Sequence, residues 1–83
     1  MDNKIAIREF LKSLLIRKGD NLPFGDESPL LTSGRLQSVD AVEIAVYLEE
    51  QFGVDFAEIG FDLERIEGVD AIAALIEEAK TSA

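Results

Sequence analysis

Apolar residues recur at intervals of three and four positions in three separate stretches of this chain. The first stretch predicts a core-facing helix from Ile7, Phe10, Leu11, Leu14 and Leu15. The last stretch predicts another core-facing helix from Val69, Ile72, Ala73, Leu75 and Ile76. Because this spacing places side chains on one face of a helix, the pattern predicts helices rather than strands. No stretch alternates between apolar and polar residues as a half-buried strand does, so the predicted fold class is all-α.

The middle stretch, residues 36–52, carries two apolar stripes where an ordinary surface helix carries one. One stripe is suited to a core and consists of Ala41, Ile44, Ala45, Leu48 and Phe52. The other, which we call the valine stripe, lies on a different face and consists of Val39, Val42 and Val46, with Glu43, Glu49 and Glu50 set among them. A helix in so short a chain buries one side well. We therefore expect the valine stripe to stay exposed as a surface for a partner or a cargo.

Glycines and a long irregular segment mark where these helices end. Gly19 and Gly53 follow the first two helical patterns, as residues that end a helix in the left-handed conformation do. Asp2 or Asn3 suits the start of the first helix. Residues 20–37 contain both prolines, and a connection longer than about 12–15 residues is usually functional or disordered. We expect four apolar side chains to hold it across the helix ends: Leu22, Phe24, Leu30 and Leu31.

The region after Gly53 contains apolar residues without a sustained period, so we predict a loop with one short helical turn near residues 62–66. Gly68 then precedes the last helix. The predicted architecture is a single domain over residues 1–83: a small bundle of three principal helices plus one short helix, with a long loop between the first and second helices.

Length and composition describe one small folded domain. The chain has 83 residues, of which 47% are hydrophobic and 30% are charged, a balance typical of globular proteins. No apolar run approaches the roughly 20 residues of a membrane span, and the N-terminus has no secretory signal core. The chain has no cysteine and thus no disulfide framework, which fits a cytoplasmic protein.

The net charge of −9 is concentrated in the second half of the chain. Residues 1–39 carry six basic and five acidic side chains, whereas residues 40–83 carry two basic and twelve acidic ones. Such a surface repels phosphate backbones, so nucleic-acid binding is not expected. It attracts basic patches on other proteins, although acidity also serves simply to keep a small domain in solution.

Several kinds of chemistry are excluded by residue type. Histidine and cysteine are absent, which removes Ser-His and Cys-His nucleophiles and the usual zinc sites. Adjacent glutamates occur, but neighbours on a helix point in different directions. Asp55, Glu58, Asp62 and Glu64 do not have the spacing of a calcium-binding loop. We therefore predict no catalytic residue and no metal ligand.

Ser38 stands at the start of the central helical pattern and has two interpretations. Serine is a favoured N-cap, and replacing it by alanine typically costs about 1 kcal/mol. A phosphate attached to such a serine would also meet unpaired N–H groups and the positive end of the helix dipole. The valine stripe runs down the helix from this serine, which adds weight to the second interpretation.

The run Gln37-Ser38-Val39-Asp40-Ala41-Val42-Glu43-Ile44, continuing to Leu48-Glu49-Glu50-Gln51-Phe52, resembles the Asp-Ser-Leu helix of acyl carrier proteins. Chain length, acidity, helix order and the long first loop also resemble that family, so the likeness covers essentially the whole chain. The sequence departs from the family pattern at Gln37, where aspartate is usual. Glutamine retains hydrogen-bonding capacity there but lacks the charge.

The resemblance implies a non-catalytic carrier and assigns roles to particular residues. A phosphopantetheinyl transferase would attach the 4′-phosphopantetheine of coenzyme A to Ser38, and an acyl or aminoacyl group would be carried as a thioester, as in fatty acid or lipid biosynthesis. The partners would be acyl-loading and acyl-transferring enzymes with basic docking patches. The residues that meet them would be Gln37, Val39, Val42, Glu43, Val46, Glu49 and Glu50. A monomer is expected, because the docking face must stay accessible.

A second hypothesis comes from another functional class. An acidic helical adaptor would bind a partner through the valine stripe and would never be modified. Gln37 favours this alternative, because it weakens the modification motif. The two hypotheses differ in whether Ser38→Ala abolishes function while the helical circular dichroism signal persists.

Overall fold

A computed structural model describes residues 3–81, which form four α-helices and one 3-10 turn without any strand. The three principal helices are α1 (Asn3–Arg17), α2 (Ser38–Phe52) and α4 (Val69–Thr81). The short α3 spans Phe56–Ile59, and the 3-10 turn spans Leu63–Ile66. The predicted all-α class, the three principal helices, the long first loop and the turn near 62–66 are confirmed. The proposed cap Asp2 lies outside the described residues.

The central helix begins at Ser38, as predicted. One element was not predicted, and it lies in the region after Gly53. The extra helix α3 forms where a loop was expected: the Asp55 carboxylate accepts the N–H of Ala57 at 3.0 Å, and Gly60 ends the helix. Phe56 and Ile59 are only partly buried against the core, and four residues are too few for a repeating apolar pattern.

The core forms where α1, α2 and α4 turn their apolar faces toward one another. Its fully enclosed side chains come from the three principal helices and from four positions in the connections: Ile7, Leu11, Leu14, Leu15, Leu30, Leu36, Ala41, Ile44, Leu48, Val54, Ile66, Val69, Ile72, Leu75 and Ile76. Phe10, Phe52 and Ala73, expected in the core, are only partly buried at its edge, and Ala45 is also intermediate. None of the helices within residues 3–81 combines the length and apolar character needed to cross a membrane.

The second half of the long loop packs its apolar side chains into the core. Leu30 and Leu36 are fully buried, and the Leu30 amide donates to the carbonyl of Glu67 at 2.9 Å. The expectation that Leu22 pins the loop is wrong, since that side chain is 69% exposed. Polar contacts hold this part of the loop instead: the Asp20 carboxylate accepts the Leu22 N–H, and Arg35 donates to the Leu22 carbonyl.

The loop passes very close to the start of α4 at Gly68. A Cβ atom at this position would stand 2.5 Å from the carbonyl oxygen of Ser28. The Asp70 amide donates to the carbonyl of Asp26 at 3.0 Å, so a hydrogen bond also joins the loop to α4 at this point. The loop and α4 can approach this closely because residue 68 has no side chain.

Candidate functional site

Ser38 is the first residue of α2, and its side chain is exposed. The hydroxyl forms no hydrogen bond with any residue of the described chain. The interpretation of Ser38 as the N-cap is wrong: Gln37 occupies that position with extended backbone angles, φ −112° and ψ 174°. The serine hydroxyl is therefore not occupied in capping the N-terminus of α2.

Asp40 takes over the capping that was expected of Ser38. Its carboxylate accepts the backbone N–H of Gln37 at 2.8 Å, the bond by which a residue three positions after the N-cap steadies the start of a helix. Lys18, just beyond α1, places Nζ 2.9 Å from the same carboxylate oxygen. The negative charge that favours a helix N-terminus thus comes from Asp40, inside the first turn.

Asp40 is the one buried charged side chain within residues 3–81. Burial pushes its pKa upward, but the hydrogen bond from the Gln37 N–H and the Lys18 ammonium outweigh burial and hold the pKa below the ordinary value of 3.8. The carboxylate therefore stays ionised at neutral pH. Sequence analysis gave Asp40 no role, although its position three residues after Gln37 is the spacing of a capping box.

The first turn of α2 leaves hydrogen-bond donors unpaired next to the Ser38 hydroxyl. The amides of Ser38 and Val39 donate to no acceptor in residues 3–81, whereas the amide of Asp40 donates to the Gln37 carbonyl at 2.9 Å. N–H groups at a helix N-terminus bind anions. The donor set therefore fits a phosphodiester on the Ser38 oxygen, the linkage of a phosphopantetheine arm. No group of three or more potential metal-ligating side chains lies within the described chain.

The valine stripe is exposed, as the sequence pattern predicted. Val39, Val42 and Val46 are 64%, 58% and 45% accessible, respectively. Val42 and Val46 form part of a groove of about 330 Å³ between α1 and α2, whose other lining residues are Phe10, Glu43, Tyr47, Glu50 and Gln51. Val39 lies outside this groove, nearer to Ser38 in the sequence. Two of the three valines thus line the groove, and the third is exposed beyond it.

The groove also has two aromatic lining residues, which sequence analysis did not assign to it. Phe10 and Tyr47 lie stacked with ring centroids 4.0 Å apart and an interplanar angle of 6°. Burial raises the pKa of the Tyr47 phenol above 10.0. Two signals were available in the sequence: Tyr47 directly follows Val46, and Phe10 lies at the edge of the apolar face of α1.

The three glutamates selected from the sequence have different surroundings. Glu43 forms an ion pair with Arg17 at the end of α1. Glu49 and Glu50 are exposed and make no ion pair within residues 3–81, and of these two only Glu50 lines the groove. Gln37 is exposed beside Ser38. The site therefore brings together Gln37, Ser38, Asp40 and Lys18 at one end of α2, and Val42, Val46 and Glu50 along its side.

Comparison of the chain with protein-family models, with curated proteins and with solved structures found no match.

Proposed function

We propose that this protein is a carrier of acyl or aminoacyl groups, modified on Ser38 by a 4′-phosphopantetheine arm. The observation that supports the proposal best is the exposed Ser38 hydroxyl, which is unbonded and next to two unpaired amides at the N-terminus of α2. The exposed valine stripe begins at the next residue. An accessible nucleophile, an anion-binding helix end and an apolar docking face thus adjoin one another.

The loading reaction would form a bond between the Ser38 oxygen and the phosphorus nearest the arm in coenzyme A. The P–O bond of the diphosphate breaks, adenosine 3′,5′-bisphosphate leaves, and the hydroxyl proton passes to a base of the transferase. The arm supplies the thiol that this cysteine-free chain lacks. The chain itself contributes an accessible hydroxyl nucleophile and two N–H donors for the attached phosphate.

The docking surface in this proposal has an apolar and an acidic part. Val42 and Val46 offer accessible apolar area, and Glu49 and Glu50 offer carboxylates without an ion pair in the described chain. Basic patches on loading and transferring enzymes would be attracted to this surface and oriented on it. The protein itself would carry out no chemistry on the cargo.

The deciding experiment is intact-mass spectrometry after incubation with coenzyme A and a broad-specificity phosphopantetheinyl transferase. The proposal predicts a mass gain of one phosphopantetheine that is absent in Ser38→Ala. Because Ser38 is not the N-cap, that control is expected to remain folded, with an unchanged helical circular dichroism signal and a stability within about 0.5 kcal/mol of the wild type. A gain only in Gln37→Asp would indicate a carrier that needs a dedicated transferase.

The groove between α1 and α2 supports the alternative of an unmodified adaptor. Its apolar lining and the carboxylate of Glu50 suit a partner that presents an apolar side chain beside a basic one. If neither the wild type nor Gln37→Asp gains mass, while Ser38→Ala retains full function in cells, the adaptor is the better explanation.

A further inference from the structure

We infer that Lys18 positions Ser38 for modification, acting through the carboxylate of Asp40. This inference rests on the proposed carrier function and extends it to a residue outside α2. It assigns Lys18 a role different from that of the cations within α1, and different from that of the docking glutamates.

The inference starts from two contacts that converge on one atom. Oδ2 of Asp40 accepts from Lys18 Nζ at 2.9 Å and from the backbone N–H of Gln37 at 2.8 Å. Gln37 is the N-cap of α2, so the bond to its amide determines the residue at which the helix begins. The position of Ser38, and the two amides left unpaired beside its hydroxyl, follow from that starting point.

Lys18 extends from a well-defined backbone. Its amide donates to the Leu15 carbonyl at 3.0 Å, and the next two amides donate to Ile16 and Leu15 at 2.9 Å, which closes the end of α1. The end of α1 is thereby linked to the start of α2 across the whole long loop. The link consists of the Lys18 ammonium, the Asp40 carboxylate and the Gln37 backbone amide.

Removing Lys18 would leave the Asp40 carboxylate buried without its cation. Such a charge is strongly unfavourable in a protein interior, so the carboxylate would turn toward water and release the Gln37 amide. The first turn of α2 would then loosen at the residue that is modified. A displacement of about 1 Å at a reacting group can reduce a rate by up to about a hundredfold.

One cation of α1, Lys12, serves as the matched control, and a second, Arg17, acts on Asp40 only through its charge. Arg17 pairs with Glu43, whose side chain is 46% exposed, and it makes no bond to the N-cap. Lys12 is exposed and forms no ion pair within residues 3–81. Lys12→Met therefore changes the net charge as Lys18→Met does without removing a contact of Asp40 or Gln37, whereas the Arg17 charge also helps to lower the pKa of Asp40.

The test measures kcat and KM for loading by a broad-specificity transferase. We expect kcat to fall about tenfold in Lys18→Met, with KM unchanged because the docking face is intact. Lys18→Arg should restore most of the rate, and Lys12→Met should behave as the wild type. The double variant Lys18→Met/Asp40→Asn should load no more slowly than the slower of its two single variants, because the lysine acts through the carboxylate.

Amide hydrogen exchange on the same proteins provides a readout that does not depend on loading. We expect the Gln37 amide to exchange faster in Lys18→Met than in the wild type, and at the wild-type rate in Lys12→Met. Wild-type kcat in Lys18→Met, an effect on KM alone, or additive losses in the double variant would overturn the inference. If the wild type is never loaded, the proposed function fails. The contact of Lys18 with Asp40 is then still tested separately, because a wild-type exchange rate of the Gln37 amide in Lys18→Met would show that Lys18 does not stabilise the start of α2.

Discussion

The rings of Phe10 and Tyr47 lie nearly parallel, 4.0 Å apart, and join α1 to α2 beside the valine stripe. Tyr47 also meets Phe52 edge-on, with ring centroids 5.8 Å apart. Stacked and edge-on rings attract beyond their apolar burial. This aromatic contact therefore aligns the two helices whose surfaces form the groove, and it links the stability of the fold to the shape of the proposed docking surface.

Phe10→Ala should lower the free energy of unfolding by about 2–3 kcal/mol. The variant loses the ring stack and part of the apolar burial, and the value lies below that of a fully enclosed phenylalanine because Phe10 is only partly buried. Urea denaturation followed by circular dichroism measures the change. The matched control is Ile5→Ala in the same helix, where the side chain is 59% exposed and a change within about 0.5 kcal/mol is expected. An equal decrease in the free energy of unfolding in the two variants would show that the ring stack does not stabilise the fold.

Gly68→Ala should destabilise the protein by about 1–3 kcal/mol, the usual range for forcing atoms into a packed site. The new Cβ would stand 2.5 Å from the backbone oxygen of Ser28, which cannot move aside as a flexible side chain can. Gly25→Ala is the control, since a Cβ there meets only the Ser28 hydroxyl, at 3.8 Å. Thermal or urea unfolding distinguishes them, and a Gly68→Ala variant as stable as Gly25→Ala would refute the close approach.

Acid should weaken the fold through Asp40. A carboxyl group whose pKa is lowered by folding contributes stability above its unfolded pKa, and this contribution is lost as the pH falls through the folded value. For Asp40 the loss occurs below about pH 3.8. Unfolding measured from pH 7 to pH 2 should show a smaller acid-induced decline in Asp40→Asn than in the wild type. The free energies of unfolding of the two proteins should therefore differ most at neutral pH. If the two free energies changed with pH in parallel from pH 7 to pH 2, Asp40 would make no such contribution.

Val42→Asp should impair docking and leave the fold intact. The side chain is 58% exposed, so the stability change should stay within about 0.5 kcal/mol. A carboxylate in an apolar contact with a transferase should raise the KM for loading about tenfold, which corresponds to about 1.4 kcal/mol. Ile5→Asp adds the same charge to an exposed position of α1 and should leave KM near the wild-type value. Similar KM values for the two variants would place docking elsewhere.

Arg17→Met should strengthen the attraction of a basic partner by releasing Glu43 from its ion pair. Both side chains are largely exposed, and such pairs contribute at most about 1 kcal/mol, so the KM for loading should fall by no more than about fivefold. The effect should shrink in high salt, where exposed charges are screened. An increase in KM would show instead that Arg17 itself contacts the transferase.

The helix pattern was visible in the sequence because burial imposes a strict spacing. The stretches containing Ile7, Ile44 and Ile72 each repeat apolar residues at helical intervals, and each lies in a helix with those side chains enclosed. The accessible valine stripe was predictable for the same reason, since a second apolar face cannot be buried by so few elements. Helix α3 was not predictable in this way, because it begins with a local cap at Asp55, spans only four residues and has no fully buried side chain.

Helical periodicity and the left-handed glycine at Gly53 are local properties of the chain, so the all-α class, the three principal helices and the accessible surface of α2 follow from the residues alone. The surroundings of Ser38 depend on how the helices pack. Lys18 and Asp40 are separated by the long loop, and their contact depends on how α1 packs against α2. Gln37 is the N-cap next to that contact, and the Ser38 side chain is accessible. The position of a charge relative to a helix end depends on the packing of several elements together, so periodicity within one helix does not reveal it.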